Sequence, residues 1–261
     1  MSTENLVAIT REVDNHVRIV CVGDLHIGSR CSNYKELEKQ LDRELSIDNT
    51  HLIWVGDLAD YAVIGSKGNV YDAVLTPEQQ KQEVKRLLTK YRDKTLLVVE
   101  GNHEYRIRRS IGMSDIADWC SENGIAYTRD IGVVALYVKS KFYGTYGRAL
   151  FLIAVAHGYT NARTLGGKLT GSGRIMDVVE NADIYITGHT HQASVTPHAR
   201  FIYDPKTKKL VLRKYFLITV PSHTGYEEYA AKKFLHPSAN AFVHIFLSVV
   251  KKEKHVSAVI R

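Results

Sequence analysis

Aspartate, asparagine and histidine recur beside glycine at five places along the chain. These are "GDLH" (Asp24, His26), "GDLAD" (Asp57, Asp60), "GNHE" (Asn102, His103, Glu104), "HG" (His157) and "GHTH" (His189, His191). Carboxylate, imidazole and amide donors with no thiolate suit Mn²⁺, Fe or Zn²⁺ rather than a structural cysteine zinc site. In "GHTH" the histidines stand at i and i+2, so an extended segment turns both to one side. Asp24 and Asp57 are the plain anionic ligands. Two divalent ions held by such a set keep net positive charge and attract a phosphate ester. Ions roughly 3.5–4 Å apart clamp a phosphoryl oxygen and hold a hydroxide for in-line attack.

Each block needs an element to deliver it. "RIVCVG" (18–23), "HLIWVG" (51–56) and "TLLVVEG" (95–101) are short apolar runs rich in β-branched residues, as buried strands are. Between them, "NYKELEKQLDRELS" (33–46) spaces Leu37, Leu41 and Leu45 four apart, an apolar stripe on a polar helix. "TPEQQKQEVKRLLTKY" (76–91) opens with Thr as N-cap and Pro in the first turn. The βαβαβ rhythm predicts a largely parallel sheet. Residues 133–139 and 148–158 read as paired strands. A helix over about 168–181 then leads to a strand at 183–187. Residues 199–220 and 241–260 read as hairpins, and 61–75 as an irregular loop over the strand ends. Ligand sites in α/β sheets form beyond the carboxyl ends of strands, so five strand termini can converge in one crevice. A lone "GD" is ordinarily a turn and a lone buried histidine ordinarily satisfies a hydrogen bond. Five such blocks in order are hard to attribute to chance.

The chain has 261 residues, 44% apolar and 24% charged, ordinary for a soluble globular protein. No repeat, linker or low-complexity tract divides it, which predicts one domain over 1–261. The longest apolar stretch, "ALFLIAVA" (149–156), is far shorter than the roughly 20 residues of a membrane helix. No basic segment precedes an apolar core at the N-terminus, and Cys21, Cys31 and Cys120 are odd in number. A reducing, cytoplasmic setting without membrane contact is the expectation. The net charge of +7 favours anionic partners.

The ordered blocks resemble the calcineurin-like metallophosphoesterase superfamily, whose pattern is D-x-H, G-D, G-N-H-(D/E), H, G-H-x-H. Every block is present between residues 24 and 191, as in small stand-alone bacterial and phage members. The resemblance implies a four-layer α/β/β/α sandwich of two mixed sheets flanked by helices. The motif core would cover about 18–192, and 193–261 would complete the second sheet with strands. Two divalent ions are implied, Mn²⁺ foremost, with Fe, Zn²⁺ or Mg²⁺ as alternatives. By the same resemblance Asp24, His26 and His191 hold one ion and Asn102, His157 and His189 the other, with Asp57 bridging. His103 would contact the phosphate and protonate the leaving group, with Glu104 orienting it.

The implied activity is phosphoester hydrolysis, with a phosphodiesterase acting on nucleotides or nucleic acid favoured. A phosphomonoesterase is the alternative, and a non-enzymatic scaffold is disfavoured because no ligand position is lost. "GDLHIG" lacks the glycine that follows the histidine in Ser/Thr protein phosphatases, and "GDLADYAVIG" lacks their arginine. Further substrate contacts are read at Arg106, beside His103, at Lys168 and Arg174 in a glycine-rich stretch, and at His223 and Tyr226 in "SHTGYEEYAAKKF" (222–234). Tyr61, Tyr105 and Tyr159 also lie near the site loops, where aromatics could stack bases. A helix starting after "GNHE" would put Ile107 and Ile111 on its core face and Arg106, Arg108 and Arg109 off it.

Overall fold

A computed structural model describes residues 6–14, 16–63, 70–142, 145–226, 231–232, 234, 236–250 and 253–261. The βαβαβ rhythm becomes β2 (Val17–Val22), α1 (Tyr34–Leu45), β3 (Thr50–Trp54), α2 (Pro77–Lys90) and β4 (Thr95–Val99), with the three strands parallel. The loop between β3 and α2 folds a 3₁₀ turn, Val70–Asp72, and rests on the first site loop through Val74 N–H to the Gly28 carbonyl. Residues 64–69 of that predicted loop lie outside the described residues. Thr76 caps α2 reciprocally: its hydroxyl accepts from Gln79 N–H, and the Gln79 side chain accepts from Thr76 N–H.

Helices α3 (Asn102–Ile111) and α4 (Asp115–Glu122) precede β5 (Tyr127–Thr128). The predicted pair 133–139 and 148–158 is a longer antiparallel ladder, β6 (Ile131–Phe142) with β7 (Thr145–Ala156). The single helix expected over 168–181 starts earlier and is broken, as α5 (Leu165–Gly173) and α6 (Ile175–Val178). Gly171 and Gly173 lie in the last turn of α5, and the break falls at Arg174. Then come β8 (Ile184–Thr187), the hairpin β9 (Ser194–Asp204) with β10 (Lys209–Thr219), and the hairpin β11 (Val243–Val250) with β12 (Glu253–Ile260).

One six-stranded sheet runs β12-β11-β2-β3-β4-β5, and the other β1-β6-β7-β8-β10-β9, where β1 (Leu6–Asp14) pairs parallel to β6. Sequence reasoning missed β1. It also placed the chain after 193 in the second sheet alone. The two final hairpins divide instead, β9–β10 joining the second sheet and β11–β12 extending the first.

Strand alternation builds the layers. Ile19, Cys21, Ile53, Val55, Leu97 and Val99 face Val134, Leu136, Phe151, Ile153, Ile184 and Ile218 between the sheets. The opposite phase, Val20, Val22, Leu52, Trp54 and Val98, meets Leu37, Leu41, Leu45, Val84, Leu88 and Cys120 from α1, α2 and α4. On the far side Ala154, Tyr185 and Leu217 meet Ile175 of α6. The result is the four-layer α/β/β/α sandwich. No described helix is long and apolar enough to cross a membrane.

Candidate metal centre

The five glycine-linked blocks follow β2, β3, β4, β7 and β8, and they converge at one end of the sandwich. Tight backbone turns deliver the side chains. Asp24, His26, Asp57, His189 and His191 all adopt positive φ, between +47° and +63°. Such conformations cost about 1–3 kcal/mol each and persist where surrounding structure over-determines them. Glycine lets the turns nest. A Cβ on Gly56 would stand 2.6 Å from His157 Nδ1, and one on Gly101 would strike the backbone and carboxylate of Asp57.

Three groups of potential ligands form: Asp24, His26 and His191; Asp57, His157 and His189; and His26, Asp60 and His103. The first brings together the three residues read from the sequence as one set, and the second brings His157 and His189 to Asp57. Asp24 Oδ1 lies 3.3 Å from His191 Nε2 and 4.0 Å from His26 Nε2. Asp57 Oδ2 lies 3.2 Å from His157 Nε2 and 3.9 Å from His26 Nε2, so one oxygen faces both groups. Asn102 Oδ1 completes the second, 3.1 Å from His157 Nε2 and 2.7 Å from His189 Nδ1. The outer ring nitrogens are held by the protein. His157 Nδ1 donates to the Val55 carbonyl at 2.7 Å, and His189 Nε2 to that of Thr160 at 3.3 Å. Fixing the outer nitrogen orients the inner one toward a metal.

The residues fit divalent cations. Asp24 Oδ1 and His26 Nε2 are buried without a hydrogen-bond partner, an arrangement that costs free energy unless something charged occupies the space between them. Burial pushes Asp57 toward the neutral acid, yet the His157, His103 and His26 rings outweigh it and hold this carboxyl well below its usual range. Burial likewise opposes charge on His26, but Asp60, Asp57 and Asp24 raise it to about 9. Three carboxylates that draw protons onto histidines in this way form a cation-seeking cluster.

A match to the family model for calcineurin-like phosphoesterases covers residues 17–193, more than half of the chain. The chain belongs to the calcineurin-like phosphoesterase family. Similar solved structures include Vps29 from Cryptosporidium parvum, 18% identical with a TM-score of 0.41, covering 95% of this chain and 98% of that one. Zn²⁺-complexed Vps29 from Entamoeba histolytica is 15% identical at a TM-score of 0.41, covering 94% and 99%. The calcineurin-like phosphoesterase YfkN from Bacillus subtilis is 10% identical at 0.45, covering 95% and 90%. No curated protein matches the chain. The family is one of metal-dependent phosphoesterases, and the candidate ligand clusters here are of matching chemistry.

Around this phosphoesterase centre the structure redistributes several roles. Glu104 does not orient His103. Its carboxylate accepts backbone N–H groups of Asp57 at 3.0 Å, Ala59 at 2.9 Å and Gly101 at 2.9 Å, and burial raises its pKa to about 7. Asp60 takes the orienting position, with its carbonyl bonded to His103 Nδ1 and its carboxylate 3.6 Å away. The "GDLAD" spacing, with Asp60 three residues after Asp57, carries that signal. Burial first, then the charges of His26 and Arg106, lower the His103 pKa to about 4 in the metal-free protein.

Arg106 points Nη1 at the carbonyls of Tyr61, 3.0 Å, and Asp60, 3.5 Å, so it braces the loop that holds His103. Arg108 is not merely solvated: it forks onto the buried Glu100 carboxylate at 2.7 and 3.1 Å. Arg109 is exposed, and Ile111 is exposed rather than on the core face. Lys168 is buried and donates to the Thr190 carbonyl at 2.9 Å, between the candidate ligands His189 and His191. Arg174 is exposed six residues on, roughly 9 Å along the axis direction. His223 is enclosed beneath the first site loop. Its N–H donates to the Asp24 carbonyl and its ring packs on Phe242, so it does not reach outward to substrate. Tyr226 is exposed, and residues 227–230, 233 and 235 beside it lie outside the described residues.

Proposed function

We propose that the protein is a dinuclear metal-dependent phosphodiesterase acting on nucleotides or nucleic acid. The observation that carries this reading is Asp57 Oδ2, which faces His157 on one side and His26 on the other, between two ligand groups. Bound there, two divalent ions, Mn²⁺ foremost, would polarise a phosphoryl oxygen and lower the pKa of water. Asp24, His26 and His191 would hold one ion and Asn102, His157 and His189 the other, with Asp57 shared between them.

His103 supplies proton chemistry. Its backbone N–H donates to Asp57 Oδ1 at 2.9 Å and its ring Nδ1 is fixed by Asp60, so Nε2 looks toward the shared carboxylate, 3.9 Å from Oδ2. Burial disfavours the charged ring in the free protein. A phosphate anion within reach favours it, and the ring then protonates the departing oxygen. The guanidiniums beside His103 support a diester over a monoester. Arg106 is turned to loop carbonyls and Arg108 to Glu100, which leaves less cationic cover than a dianionic monoester calls for.

Hydrolysis of bis-p-nitrophenyl phosphate and p-nitrophenyl phosphate with Mn²⁺, Zn²⁺, Mg²⁺ or Fe²⁺ tests the reading. Diester turnover that needs metal and is lost in Asp57→Asn is expected. Turnover of the monoester alone overturns the diester assignment, and no metal-dependent turnover of either overturns the activity.

A further inference from the structure

Tyr61, Tyr105 and Tyr159 lie near the site loops, and the fold treats the three differently. Tyr61 is buried, and Tyr105 has the Arg108 guanidinium 4.8 Å above its ring. Tyr159 is 69% exposed, yet its ring is held in place. One face stacks on His189, centroids 5.9 Å apart and planes 21° from parallel. Its hydroxyl accepts a hydrogen bond from Asn161 Nδ2 at 2.8 Å. The turn that presents it begins at Gly158, with φ +86°, directly after ligand His157, and the next residue, Thr160, accepts the outer nitrogen of His189. An aromatic ring is therefore fixed against a candidate metal ligand with its second face open.

We infer that the open face of Tyr159 is a shelf on which a nucleobase stacks while its phosphate sits at the metal centre. The inference rests on the phosphodiesterase reading above and adds the substrate's recognition element. Stacking is the appropriate chemistry because every base has a π-face, so one ring accepts purines and pyrimidines alike. Immobilisation matters as well: a ring already fixed by His189 and Asn161 loses little further freedom when a base settles on it. Single exposed tyrosines are common, but a solvated one needs neither the parallel contact nor the hydrogen bond at its tip.

The test compares adenosine 5′-monophosphate with ribose 5-phosphate, which differ only by the base, in calorimetric titrations of the Mn²⁺-loaded protein. Wild type is expected to prefer the nucleotide by about 10–100-fold, the range of one stacked base. Tyr159→Ala should reduce that preference to within about threefold, and Tyr159→Phe, which keeps the ring, should retain it. No preference in wild type, or an unchanged preference in Tyr159→Ala, overturns the shelf. Equal loss of both ligands in Tyr159→Ala also overturns it, because the ring would then act only through His189. Bis-p-nitrophenyl phosphate turnover is measured on the same preparations. Its absence defeats the phosphodiesterase reading while the binding ratio still decides the shelf. A short oligo(dA) in the same titration separates sources: a salt-sensitive gain over the mononucleotide marks a polymer, no gain marks a free nucleotide, and either keeps the base on Tyr159.

Discussion

Glu104 and Asp57 are joined through the backbone: the Glu104 carboxylate accepts the Asp57 N–H at 3.0 Å, from 47 residues away in sequence. The same carboxylate accepts Ala59 and Gly101, so one buried side chain pins the turns after β3 and β4 to each other. Glu104→Gln removes one acceptor oxygen and should destabilise the protein by about 1–3 kcal/mol in urea unfolding, the cost of a buried N–H left unpaired. Its effect on hydrolysis should follow lost metal affinity. Asp60→Asn, in contrast, should alter the acidic limb of the pH–rate profile, because Asp60 contacts the His103 ring. If Glu104→Gln moved that limb and left metal affinity intact, the backbone role would be refuted.

Arg108 and Glu100 form a pair with one buried end. Glu100 accepts both Arg108 contacts and the Tyr127 hydroxyl at 3.2 Å, with its side chain only 1% exposed. Arg108→Ala would leave that carboxylate uncompensated, for an expected loss of about 3–5 kcal/mol. Adding Glu100→Gln should recover part of it. A double variant as unstable as the single one would show that the pairing is not the source.

Metal should stabilise the fold as well as serve its chemistry. Asp24 Oδ1 and His26 Nε2 are buried without a hydrogen-bond partner, and five candidate ligand residues sit at positive φ. A divalent ion at 100 times its dissociation constant adds about 2.7 kcal/mol, for a rise in Tm of roughly 5–10 °C in a chain of this size. Chelation should reverse the rise, and Asp57→Asn should blunt it. A Tm indifferent to Mn²⁺ and Zn²⁺ alike would count against the centre.

Acid should weaken the junction of α1 with α2. Hydrogen bonds from Arg86 at 2.7–2.8 Å and from Lys90 at 2.8 Å lower the Glu38 pKa to about 2, against opposing desolvation. A depressed carboxylate contributes its stability above the unfolded-state value of 4.5 and loses it as pH falls through about 2. On this solvent-screened surface the contribution is under about 1 kcal/mol. The stability difference between wild type and Arg86→Gln/Lys90→Gln should therefore shrink between pH 4.5 and 2, and shrink also with added salt. A difference constant over that range would place its origin elsewhere.

The candidate cluster was legible in the chain because its signals are local. Each block follows an apolar run and contains a glycine, and a strand end with its turn occupies only a few consecutive residues. The core strands β2, β3 and β4 and the helices α1 and α2 were legible for the same reason, since apolar period and caps are short-range. Tertiary structure decided what the neighbours of those ligands do. Glu104 bonds residues 45 and 47 positions away, Asp60 meets His103 across 43, and Lys168 meets Thr190 across 22. It also decided that β1 closes an edge of one sheet and that the two final hairpins part company. A side chain's type and its local period say what it can bond or bury. Which buried N–H, carbonyl or ring stands opposite is set only when distant loops pack together, and desolvation there forces each polar group onto the partner it finds.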